Sequence, residues 1–221
     1  MLQTSTIQFL KQLKKNNTKE WFDKNRYVYE EAKKDFAGFI QQVIDTHAKK
    51  DKSITHLVAK DCMFRINRDV RFSKDKSPYK TNMGASINSK GKKAQTAGYY
   101  FHLEPGACFV GGGLYMPMPP DLNKIRQEID YNFKDFKKII TAKKFVDSYG
   151  DLSHDAAYTL SRVPKGYETD NPAADYLKLK SFVATVQLDD KMLTGNNLLK
   201  ETVNHFAALK PLIEFLNHAL E

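Results

Sequence analysis

Two short stretches carry the densest chemistry in the sequence. Residues 64–80 read "FRINRDVRFSKDKSPYK", three arginines, three lysines and two aspartates around four apolar residues. Residues 98–104 read "GYYFHLE" and place His102 two positions before Glu104. In an extended chain, residues two apart share a face, with Cβ atoms about 6–7 Å from one another. An imidazole and a carboxylate so placed suit a general base and the group that orients it, or two metal ligands. The same spacing also serves as a plain surface or cross-strand pair. His102 and Glu104 are therefore the candidate catalytic residues.

The charged stretch reads as a strand followed by a loop. Phe64, Ile66, Val70 and Phe72 share one parity and form the expected inward face, interrupted by Arg68. Arg65, Asn67, Asp69 and Arg71 fall on the opposite parity. Pairing of this strand with residues 98–104 would bring them to the side of Tyr100, His102 and Glu104. Guanidinium forks match carboxylate and phosphate oxygens bidentately, and Lys74, Lys76 and Lys80 in the following loop add point charges. Tyr79 could stack or donate a hydrogen bond. The expected ligand-binding set is thus Arg65, Arg68, Asp69, Arg71, Lys74, Lys76, Tyr79 and Lys80. In the competing reading Asp69 and Asp75 neutralise the cations internally as a structural network, and Arg68 belongs to that scaffold.

The elements that must position these residues follow from periodicity. Ile7, Phe9, Leu10 and Leu13 form one helical face before the "NNT" break; Thr18 suits the N-cap of a second helix, with Glu20 and Asp23 in its first turn. Apolar residues from Trp21 to Ile44 keep helical spacing, with a break expected near Asn25. From about residue 57 to 116, alternation replaces that period. Tyr99, Phe101 and Leu103 point one way, Tyr100, His102 and Glu104 the other, and Pro105–Gly106 makes a hairpin turn. Helices resume after Pro120 with a break near Asn132, residues 181–188 read as a further strand, and residues 198–220 as a helix that Pro211 kinks or divides into a second segment. The order predicts one α+β domain over residues 1–221: a central antiparallel sheet (about residues 57–116 plus 181–188) flanked by N- and C-terminal helices.

Composition excludes several classes. At 221 residues with 41% hydrophobic and 12% aromatic content, the chain has enough apolar mass for a packed core. No apolar run approaches the ~18–20 residues of a membrane span, and the polar N-terminus lacks a signal-peptide core; a cytoplasmic protein with no membrane partner is expected. Cys62 and Cys108 lack metal spacing and read as buried thiols. The six histidines show no ligand pairing. No nucleotide-binding glycine fingerprint, phosphate-binding loop, zinc-protease or nucleophile-elbow motif occurs. Gly111–Gly113 precede "LYMPMPP" rather than a helix N-terminus, so the triplet reads as a backbone feature. The net charge of +9 favours anionic partners, although much of the excess is lysine scattered on helices (Lys11, Lys14, Lys15, Lys33, Lys34, Lys49, Lys50), where a solvated face is the more common role.

The stretches "FRINRDVRFSKDKSPYKTNMGA", "GYYFHLEPGACFVGGGLYMP" and "LSRVPKGYETDNPAADYLKLKSFVA", in that order, resemble the landmarks of domain-of-unknown-function family 2461, and the likeness spans essentially the whole chain. The recurrent motif positions match Arg65, Arg68, Asp69, Arg71, Lys74, Asp75, Lys76, Pro78, Tyr79, Lys80, His102, Glu104, Pro164, Gly166 and Lys180. The resemblance implies no activity, substrate, cofactor or oligomeric state. Three readings stand: a domain that binds, and by one version acts on, an anionic phosphate- or carboxylate-bearing small molecule; a nucleic-acid-binding module; and a structural or interaction protein with an internal charge network.

Overall fold

The computed structural model describes residues 1–221, with ten α-helices and a four-stranded antiparallel sheet whose spatial order follows the chain, β1-β2-β3-β4. The helices are α1 (Thr4–Lys15), α2 (Lys19–Lys24), α3 (Arg26–His47), α4 (Ala59–Cys62), α5 (Pro119–Tyr131), α6 (Phe133–Ile140), α7 (Lys143–Tyr149), α8 (Ala174–Leu177), α9 (Asp190–Leu193) and α10 (Leu198–His218). The strands are β1 (Met83–Ile87), β2 (Gly98–Leu103), β3 (Phe109–Leu114) and β4 (Phe182–Gln187). The fold is α+β, and no helix is long and apolar enough to cross a membrane.

Local chemistry sets the boundaries. The Thr18 hydroxyl accepts from the Trp21 amide at 3.3 Å and so caps α2; Asn25 ends α2 and precedes α3, and Asn132 does the same between α5 and α6. Pro211 sits inside α10 without ending it. The β2–β3 turn is closed by the Ala107 amide on the Glu104 carbonyl at 2.9 Å, with Gly106 at φ +84°, the geometry of a type II turn. Both cysteines are buried free thiols. In β3 a Cβ on Gly112 would stand 2.5 Å from the Gly98 carbonyl oxygen, so the triplet is there to let strands approach.

The chain divides into two compact units. The first comprises residues 1–92, 100–110 and 187–204. Its core sets Phe36 and Phe39 of α3 against Phe101 of β2, ring centroids 6.1 and 5.1 Å apart. The second comprises residues 93–99, 111–186 and 205–221. Its core sets Tyr99 against Phe206 at 4.9 Å, and Phe136 against Tyr176 and Phe215 at 5.1 and 5.4 Å.

The main departure from expectation is the stretch 64–72, which is not a strand. Met63 bridges Ala85 of β1 and Asn67 bridges Tyr79, while residues 69–77 form an irregular excursion between. Of the predicted inward face only Ile66 is buried; Phe64 is 41% exposed and Phe72 96%. The reason is electrostatic. Charged residues occupy both parities around Val70, and neither face of such a ribbon can leave water without stranding ions.

Candidate anion-binding site

The first unit contains two polar constructions, both within reach of Phe64. One lies on the half-buried face of β2. The Tyr100 hydroxyl is 3.1 Å from His102 Nδ1, and His102 Nε2 is 3.3 Å from Glu104 Oε2. Glu104 Oε1 accepts from the Thr81 hydroxyl at 3.2 Å and pairs with Lys14 of α1 at 3.5 Å. An ionised carboxylate only accepts, so in the neutral imidazole Nε2 carries the proton and Nδ1 receives the Tyr100 hydroxyl. Phe109 stacks on the imidazole at 4.6 Å. Gly84 gives the phenol its place: a Cβ there would stand 2.5 Å from the Tyr100 oxygen. Burial pushes the Tyr100 hydroxyl up to about 12, so it stays a donor. Each group in this chain has its partner inside the protein, and the chain ties α1 to the end of β2.

The second construction is a pocket of about 400 Å³ between α3, α4 and the start of β1. Its cations are Lys33 and Lys34 from α3, Lys60 from α4, Arg65, and Lys92. Its apolar wall includes Tyr29, Met63, Phe64 and Met83. The Gln41 side chain of α3 accepts from the Ala59 amide at 2.9 Å, which fixes the start of the short helix bearing Lys60. Met63 and Phe64 are fixed by the bridge to Ala85 and by the Phe64 amide on the Gly84 carbonyl at 2.9 Å. Lys33 pairs with Glu30, the pocket's one carboxylate, at 3.3 Å, and Lys92 donates to the Met63 carbonyl at 2.7 Å. The charged ends of Lys34, Lys60 and Arg65 make no hydrogen bond or ion pair within the protein.

Residues 5–215 match the family model described as "Conserved hypothetical protein (DUF2461)". The chain belongs to this family. No curated protein and no solved structure matches it. In this DUF2461 chain the motif landmarks separate: Pro164, Gly166 and Lys180 lie in the second unit, whereas the charged stretch and the His102–Glu104 pair lie in the first.

The residues expected to bind a ligand take different places. Arg65 lines the pocket. Lys80 lies beside it with its ammonium 5.6 Å over the Phe64 ring; burial, and then the Arg65 charge, lower its pKa. Arg68 is turned into the 69–77 excursion, where it pairs with Asp75 and donates to the Ser77 carbonyl at 3.1 Å and the Ser73 hydroxyl at 3.2 Å. The Ser77 hydroxyl and amide, then Arg68, hold the Asp75 carboxyl down at about 2. Arg71 grips Asp69 through two contacts of 3.0 and 2.6 Å, Lys76 donates to the Val70 carbonyl at 3.1 Å, and Lys74 is exposed. Tyr79 is 6% exposed and stacks on Phe22 at 3.9 Å, with its backbone gripped on both sides by the Asn17 amide at 2.9 and 3.1 Å. His102 and Glu104 do not line the pocket; Tyr100 approaches it through Phe64, ring centroids 6.4 Å apart. Lys33, Lys34, Lys60 and Lys92 were not foreseen as site residues, and the nearest signal was the Lys33–Lys34 doublet beside Tyr29. No group of three His, Cys, Asp or Glu is placed to hold a metal ion.

Proposed function

We propose that the first unit binds an anionic small molecule bearing phosphate or carboxylate groups in the pocket between α3, α4 and β1. The observation that carries this reading is the charge balance: five cations around about 400 Å³ with one carboxylate, itself committed to Lys33. Lys34, Lys60 and Arg65 reach this volume with no internal hydrogen-bond partner, and an oxyanion would satisfy their donors. Ligand pockets run from about 300 to 1,000 Å³ with an apolar lining and a few convergent polar groups; this one fits. The acid–base role expected of His102 and Glu104 stands outside the proposal, because the pair does not line the pocket.

The test is thermal unfolding of the full chain with pyrophosphate or citrate at low salt. Tm should rise with anion concentration by mass action, and the rise should shrink as salt screens the cations. The double variant Lys60→Ala, Arg65→Ala should lose at least tenfold in affinity, about 1.4 kcal/mol, while remaining folded by circular dichroism. A flat Tm with both anions on a folded protein would overturn the reading.

A second reading, contact with a nucleic acid, rests on Phe72. This ring is 96% exposed, with the Arg71 guanidinium 5.8 Å from its centroid and Lys74 exposed nearby in sequence. Bare aromatics among cations stack on unpaired bases. Phe72→Ala should then weaken binding of a single-stranded oligonucleotide and leave pyrophosphate binding in the pocket untouched.

A further inference from the structure

The pocket's two-sided lining points to a ligand class within the anions, and this step rests on the anion reading above. The pocket's volume of about 400 Å³ lies within the range of small-molecule sites. An inorganic oxyanion fills only a fraction of that. The remainder of the lining offers apolar surface. Phe64 lines the pocket with 41% of its surface exposed, one of few large rings in the first unit left so open. Tyr29, Met63 and Met83 continue that apolar wall. Set into it is Asn82, whose amide makes no hydrogen bond within the protein. A primary amide offers a donor and an acceptor side by side, the complement of a purine edge.

We infer that the pocket takes a free nucleoside monophosphate, with its phosphate on Lys34, Lys60 and Arg65 and its base against Phe64 and Asn82. Glu30 does not repel the phosphate, since Lys33 neutralises it. The ring wall adds affinity in proportion to stacking, which every base provides, whereas the amide discriminates by edge.

Calorimetric titration of the full chain compares AMP, GMP, ribose 5-phosphate, adenosine, pyrophosphate and a ten-residue single-stranded oligonucleotide. At least one of AMP and GMP should bind tenfold or more tightly than ribose 5-phosphate, and adenosine should bind more weakly than AMP. Phe64→Leu and Asn82→Ala, each verified as folded by circular dichroism, should both shrink the ratio of nucleotide to ribose 5-phosphate affinity. If neither nucleotide exceeds ribose 5-phosphate while pyrophosphate binds, the nucleoside assignment is overturned and the anion reading stands. If no phosphate binds at low salt, the anion reading falls and this inference with it. Tighter binding of the oligonucleotide than of the mononucleotide overturns the free ligand in favour of a strand.

Discussion

Two basic regions of the first unit, the excursion 69–77 with Arg68 turned into it and the pocket between α3, α4 and β1, meet near Arg65 and treat charge in opposite ways. In the excursion nearly every ion has an internal partner. Arg68 holds Asp75, Arg71 holds Asp69, and Lys76 caps the Val70 carbonyl. In the pocket, three of the five cations have none. The first arrangement uses charge as a fastener for a segment with few apolar residues to bury. The second leaves three exposed cations without an internal partner, free to meet an anion in the proposed reading. Basic sequence alone therefore does not mark a binding site; which of its charges lack an internal partner is what the proposed reading turns on.

This contrast breaks first at Tyr79, which sits between the two roles by residue type but is core by position. Tyr79→Ala removes a buried ring stacked on Phe22 at 3.9 Å and should cost about 3 kcal/mol by chemical denaturation. The folded fraction should keep its affinity for pyrophosphate. If binding fell in a fully folded variant, Tyr79 would belong to the site and the excursion and pocket would not be separate in function.

Much of the architecture was legible because it depends on local rules. The period-2 pattern of Tyr99–Glu104 sorted core from half-buried face correctly, and the burial of β2 alternates as read. The Thr18 cap and the Asn25 and Asn132 breaks rest on backbone groups that a side chain or an irregular turn must satisfy. The stretch 64–72 misled for a physical reason. Its apolar residues have strand spacing, but period alone does not say whether four charges within residues 68–71 and 75 can be desolvated, and they cannot. The pocket was illegible for another reason. The Lys33–Lys34 pair, Lys60 and Lys92 come from three separate segments, each ordinary as a solvated face, and only tertiary packing brings them round one volume.

A smaller effect sharpens the fastener side of the comparison. Asp75 titrates at about 2 in the folded protein, below its ordinary 3.8, because the Ser77 hydroxyl and amide and then Arg68 bind its charged form. A carboxyl with a depressed folded-state pKa contributes stability above its unfolded pKa and loses it as pH falls through the folded one. Asp75→Asn should therefore lower Tm at pH 7, and the gap from wild type should close between about pH 4 and pH 2. Because Asp75 faces solvent, the gap should also narrow in high salt. A gap independent of pH would mean that the Asp75 backbone turn, not its charge, holds the excursion.

The smallest expected effect tests the boundary itself, at Lys80. Its pKa lies below the ordinary 10.5, first from burial and second from the Arg65 charge, and its ammonium rides on the pocket ring Phe64. Lys80 thus senses the pocket's unspent charge without lining it. Arg65→Ala should move the Lys80 titration, followed by side-chain NMR, back upward toward 10.5, leaving the burial contribution in place. Pyrophosphate bound beside Arg65 should move it the same way in the wild type, since an added anion favours the ammonium. The two shifts have one cause, relief of the Arg65 repulsion, so in the Arg65→Ala variant any anion response should shrink. A Lys80 titration that ignores both changes would place the anion away from Arg65.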